Sequence, residues 1–340
     1  DGAGTFEIMV TNTLNGCSET AQVIVSEDVT LPTADAGTAQ IIDCNNASAT
    51  LDGSGSSSGA NFTYNWSVIS GTGTITGGGT TSMATVDGAG TFEIMVTNTL
   101  NGCSETAQVI VSEDVALPTA DAGTAQIIDC NNTSATLDGS GSSSGANFTY
   151  SWSVVSGTGT ITGGGTTSMA TVDGPGTFEI MVTNTVNGCS ETAQVIVSED
   201  VALPTADAGT AQIIDCNNTS ATLDGSGSSS GANFTYSWSV VSGTGTITGG
   251  GTTSMATVDG PGTFEIMVTN TVNGCSETAQ VIVSEDMSLP TADAGTAQII
   301  DCNNLTATLD GSASSSGANF IYNWSVAVSY THLTLPTIGE

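Results

Sequence analysis

The chain has no lysine, no arginine and one histidine, against 33 Asp plus Glu in 340 residues. At a formal charge of -33, no nucleic-acid partner is expected, nor any electrostatic attachment to an anionic membrane. Trypsin-like proteases find no cleavage site. Upstream of His332 no Ser-His-Asp or Cys-His arrangement can be built. Proton transfer is left to carboxylates, Tyr or Cys, and an oxyanion or phosphate clamp to backbone amides. Glycine-rich "GTGTITGGG" lacks the Lys and the following helix of a phosphate loop, so it reads as a turn. Helical periodicity is missing from every 11-residue window, and no apolar run is long enough to span a membrane. Catalysis is not expected, and no catalytic residue is assigned.

What is present points to a folded chain. Hydrophobic residues make up 38% and charged residues only 10%, which is not the signature of disorder. "DGAGTFEIMVTN" starts at Asp1 and Asp87, and "DGPGTFEIMVTN" at Asp173 and Asp259, so the period is 86 residues. Broken at "LPTADAG", the chain divides into whole repeats at 31-116, 117-202 and 203-288. Residues 1-30 read as the C-terminal part of a truncated repeat, and 289-327 as the N-terminal part of another. The second and third whole repeats differ only at Val201/Met287 and Ala202/Ser288. The expectation is a piece of a longer array.

Within a repeat the apolar period is two. Phe62, Tyr64, Trp66 and Val68 alternate with Thr63, Asn65 and Ser67; Phe92, Ile94 and Val96 alternate with Glu93, Met95 and Thr97. This predicts half-buried antiparallel strands. Further short strands are predicted at 39-43, 48-52, 73-77, 82-86 and 106-112, with turn signals between them. About seven strands in under a hundred residues, with a Trp on the third, predict an all-β tandem array of immunoglobulin-like β-sandwiches. Trp66, Trp152 and Trp238 are expected in the cores.

The order "ADAG", "TLDGSGSSSG", "YNW", "GTFEIMVTNTLNGC" resembles the PKD-like, immunoglobulin-like tandem repeats of large Bacteroidetes-type surface adhesins. The likeness covers nearly the whole chain. It implies a β-sandwich, secretion and a place at the cell surface. Repeats of that kind often carry an Asp after the serine run, whereas Ser56, Ser57 and Ser58 lead straight into Gly59. A calcium role for that loop therefore does not carry over.

The last repeat keeps register through Val326 and then breaks off. "VSYTHLTLPT" resembles one reading frame of a transposase adaptor used in sequencing libraries. Residues 328-340, His332 among them, are read as a non-native tail and excluded from fold reasoning.

Eight cysteines stand at 17, 44, 103, 130, 189, 216, 275 and 302. Two per repeat read as disulfides in an oxidising compartment; no C-x-x-C or companion His points to zinc. The structural disulfide cysteines are Cys44, Cys103, Cys130, Cys189, Cys216 and Cys275. Pairing within repeats gives Cys44-Cys103, Cys130-Cys189 and Cys216-Cys275. Pairing across junctions gives Cys44-Cys189 and Cys130-Cys275. General prevalence favours the first scheme. An immunoglobulin topology favours the second, because it sets the two loops of one repeat roughly 30 Å apart, beyond disulfide reach.

Acids recur at the same junctions. Glu113, Asp114 and Asp121, with Glu199, Asp200 and Asp207 at the next, are candidate calcium ligands. No other cofactor is expected. The alternative for these acids is a solvated surface that keeps similar neighbours apart. The resulting expectation is a structural stalk of a secreted bacterial adhesin, extracellular or at the cell surface. Its partners are the neighbouring repeats and, through distal domains, an unknown extracellular ligand; no membrane insertion is expected. The rival is a multivalent weak binding array for glycans or a protein, calcium-dependent if the junction acids bind the ion.

Overall fold

The computed structural model describes residues 2–327, so the adaptor-like tail and His332 lie outside the described residues. Every regular element among them is a strand. A first hairpin pairs β1 (Gly4–Thr11) with β2 (Ser18–Val25). Seven strands follow in the first whole repeat: β3 (Gln40–Asp43), β4 (Ala49–Asp52), β5 (Phe62–Gly71), β6 (Ile75–Gly77), β7 (Met83–Val86), β8 (Gly90–Asn98) and β9 (Ser104–Asp114). The same seven recur from Gln126 to Asp200 and from Gln212 to Asp286.

Each set forms two sheets. One has the order β3-β9-β8-β5 and the other β4-β7-β6. All pairings are antiparallel except that of β3 with β9, which is parallel. The repeat is thus an immunoglobulin-like sandwich in which the first strand leans on the last. Alternation decides which face is inside. On β8, Phe92, Ile94 and Val96 are fully buried while Met95 is exposed. With Leu51, Val86, Trp66, Val109 and Val111 they form one cluster, and matching clusters occupy the other two repeats. Burying each such side chain is worth about 1.5–3 kcal/mol.

Trp66, Trp152 and Trp238 are buried, and each indole nitrogen donates to a carbonyl across the sandwich: Thr81, Thr167 and Thr253. Val68 departs from the expected inward row. It is 42% exposed, because the β5–β8 register slips between Val68 and Ser70 and carries the strand past the core.

The linker motif "ADAG" is bound to its own repeat. The Ser56 hydroxyl is buried, accepting from the Asp35 amide and donating to the Asp35 carbonyl. Gly37 sits at φ +80 against the Asp52 backbone, where a Cβ has no room. The linker prolines Pro118 and Pro204 are buried.

Two compact units result. One spans Asp1–Ala202 with Asn273–Cys275, and holds the β1–β2 hairpin and two sandwiches. The other comprises Leu203–Val272 and Ser276–Glu340, and holds the third sandwich and the segment that follows it.

Candidate functional site at the junction between repeats

The parallel pairing of β3 with β9 determines where the cysteines go. Asp43 lies opposite Asp114, so Cys44 emerges beside the end of β9. Cys103 precedes the first residue of the same 11-residue strand. At about 3.3 Å per residue the two are separated by roughly 36 Å, several times disulfide reach.

Cys44 bonds Cys189 with Cα atoms 5.0 Å apart, and Cys130 bonds Cys275 at 5.1 Å. Both pairs are separated by 145 residues and both join one repeat to the next. Cys103 and Cys216, counted in the sequence reading among the disulfide cysteines, are free thiols, as are Cys17 and Cys302. The within-repeat scheme fails for the length of β9.

A residue that the sequence reading passed over sits beside the bond. Asn187, in the hairpin "NTVNGC", is 1% exposed and uses all its polar atoms. Its side-chain nitrogen donates to Asp114 Oδ1 and to the Ala116 carbonyl, both at 3.0 Å. Its side-chain oxygen accepts from the Cys189 amide, and its backbone carbonyl accepts from the Cys44 amide. The next residue, Gly188, has φ +71, and a Cβ there would run into the Asn45 side chain. "NG" reads in sequence as a turn signal; nothing in it announces a plug that fits another repeat.

The same clamp forms without a disulfide. Asn101 donates to Asp28 Oδ1 at 3.1 Å and to the Thr30 carbonyl at 3.0 Å, although Cys103 is unpaired. The Asp28 carboxyl is held below the usual carboxylate range, first by the Thr30 amide and then by Asn101. Polar docking therefore does not depend on the covalent bond.

The six candidate calcium ligands, Glu113, Asp114, Asp121, Glu199, Asp200 and Asp207, are all exposed. Asp114 and Asp200 are engaged by Asn187 and Asn273. Asp121 and Asp207 accept from the amides of Gly123 and Gly209. Among the described residues no three His, Cys, Asp or Glu side chains form a group able to hold a metal ion.

No protein-family model matches the chain, and no curated protein matches it. Among solved structures it is similar to the I-band fragment I67–I69 from titin, at 11% identity and a TM-score of 0.35, covering 75% of this chain and 98% of that one. It is also similar to Drosophila N-cadherin EC1–4, at 11% identity and a TM-score of 0.29, covering 83% of each chain. A third likeness, to the PKD domain from KIAA 1837 protein, has 29% identity and a TM-score of 0.22, covering 28% of this chain and 98% of that domain. Scores of this size say nothing of function; strand order and pairing define the sandwich.

Proposed function

We propose that this chain is a spacer segment of a secreted, surface-displayed protein, a stalk that carries a distal domain away from the cell. The observation that carries the reading is the junction: Cys44 bonded to Cys189, with Asn187 buried beside it. Bonds between repeats suit a load-bearing array, since they limit how far neighbours can part. Disulfides of this kind persist in oxidising compartments, which favours an extracellular location. The resemblance to repeats of bacterial surface adhesins fits the same role.

Nothing at the junction suits catalysis. No cationic side chain is available among the described residues, and the polar groups there are used in docking. Disulfide mapping of the chain with a non-tryptic protease tests the reading. Peptides joining Cys44 to Cys189 and Cys130 to Cys275 are expected. Peptides joining Cys44 to Cys103 would leave the repeats independent and remove the basis for a covalently linked spacer.

A further inference from the structure

Residues 2–30 and 289–327 are two parts of one sandwich. On β1 and β2, Phe6, Ile8, Val10, Val23 and Val25 are exposed, whereas their equivalents Phe92, Ile94, Val96, Val109 and Val111 are buried. The later segment shows the complementary deficit. Trp324 is 52% exposed where Trp66 is 4%, and Ile300 and Leu309 are exposed where Ile42 and Leu51 are buried. An open cleft lined by Ala292, Gly311, Phe320, Tyr322 and Trp324 lies on that segment. In a whole repeat, the equivalent residues share a core with Phe92, Ile94 and Val96.

We propose that residues 2–30 of one copy complete the sandwich begun by residues 289–327 of a second copy. Two disulfides close the contact: Cys17 to Cys216 and Cys103 to Cys302 of the second copy. A single placement produces both bonds. With residues 2–30 standing where a whole repeat has its last two strands, Cys17 occupies the hairpin position of the repeat that follows 203-288. The loop cysteine facing that hairpin is Cys216. One repeat further along the incoming copy, Cys103 faces Cys302. The four free cysteines are thereby matched, with none left over.

Plug and socket are already shaped. In the β1–β2 hairpin the Asn12 amide donates to the Cys17 carbonyl and the Cys17 amide to Asn15 Oδ1. The docked hairpin holds the same two bonds, from Asn184 to Cys189 and from Cys189 to Asn187. Among the described residues no bond engages the Asn15 side-chain nitrogen. On the socket, the Ser288 amide donates to Asp286 Oδ1, as the Ala202 amide does to Asp200 in the occupied junction. Asp286 Oδ1 and the Ser288 carbonyl are then the acceptors for Asn15.

The restored sandwich has the four strand segments of its larger sheet, but only residues 307–310 of its smaller one. The two disulfides, rather than the sandwich alone, hold the contact. Each bond forms as two thiols give up two protons and two electrons to a small-molecule disulfide, oxidised glutathione, which leaves as two thiols. Because the surfaces on the two copies differ, the contact is heterologous and propagates into open chains.

The test is sedimentation velocity and non-reducing peptide mapping of the whole chain, incubated with oxidised glutathione. A ladder of oligomers is expected, carrying Cys17–Cys216 and Cys103–Cys302 peptides and collapsing to monomer with dithiothreitol. Cys216→Ser should abolish the first peptide and keep the second. Phe6→Asp should slow ladder growth several-fold without touching a sulfur. A monomer with four glutathionylated cysteines overturns the proposal, as do Cys17–Cys17 and Cys302–Cys302 peptides, or the expected peptides found in the monomer. None of these outcomes bears on the spacer reading, which rests on Cys44–Cys189.

Discussion

Asn187 and Asp114 lie 73 residues apart in the chain and 3.0 Å apart in space. Each belongs to a different repeat. Their contact, with the neighbouring Cys44–Cys189 bond, turns a row of similar sandwiches into a linked array.

Replacing Asn187 by Asp should weaken that junction more than replacing it by Ala. Alanine removes the two donors to Asp114 and Ala116. Aspartate removes them and also sets a second carboxylate against Asp114. The expected losses are about 1–3 kcal/mol for Ala and more for Asp. Urea unfolding of the oxidised chain reads the difference, and equal losses would show that the Asp114 charge plays no part.

Gly188 and Gly102 offer a matched pair. Both have positive φ, +71 and +75, so alanine is strained at either. Only at Gly188 would the new methyl also meet Asn45; at Gly102 nothing lies within 4 Å. Gly188→Ala should therefore slow closure of Cys44–Cys189 and lower Tm beyond the cost seen for Gly102→Ala. Thiol quantification during oxidative refolding gives the rate. Identical behaviour would place Asn45 away from the hairpin.

The two disulfides interlace, since Cys130 lies inside the 44–189 loop and Cys189 inside the 130–275 loop. A fully stretched oxidised chain must run one repeat of 86 residues between Cys44 and Cys275 by either route. That limits the distance between these two cysteines to about 300 Å, against about 800 Å after reduction. Force spectroscopy with and without dithiothreitol measures it. An oxidised extension near the reduced value would mean that the bonds are absent.

Acid should act in two opposite phases. With 33 acids and no Lys or Arg, the folded chain repels itself at pH 7. Partial protonation on the way down to about pH 4.5 relieves this, so Tm should rise. Salt at pH 7 should raise it too, by screening. The Asp87, Asp173 and Asp259 carboxyls are held below 3.8, first by the amides of Thr74, Thr160 and Thr246 and then by their hydroxyls. A depressed pKa contributes stability above the unfolded value and loses it as pH falls through the folded one. Tm should therefore drop below about pH 3.8. Asp87→Asn should flatten that limb. Calorimetry across pH 2–8 checks both phases, and a monotonic curve would remove the repulsion argument.

Much of this protein was legible in its sequence, and the reason is local. Strand positions follow from alternation such as Phe92, Ile94 and Val96, because a strand sends successive side chains to opposite faces whatever surrounds it. Turn residues, the 86-residue period and the burial of Trp66 are of the same kind. Val68 was misplaced because a register slip depends on the partner strand. Cysteine pairing lay beyond local reasoning altogether. Two cysteines per repeat were plain, but within-repeat and cross-junction schemes use the same residues and remained open. Only the tertiary structure decided, by laying β3 parallel to β9, so that Cys44 and Cys103 leave from opposite ends of an 11-residue strand. Asn187 was hidden for the same reason. An Asn-Gly pair makes a turn wherever it occurs, and it becomes a buried plug only where another repeat supplies Asp114, Ala116 and Asn45 around it.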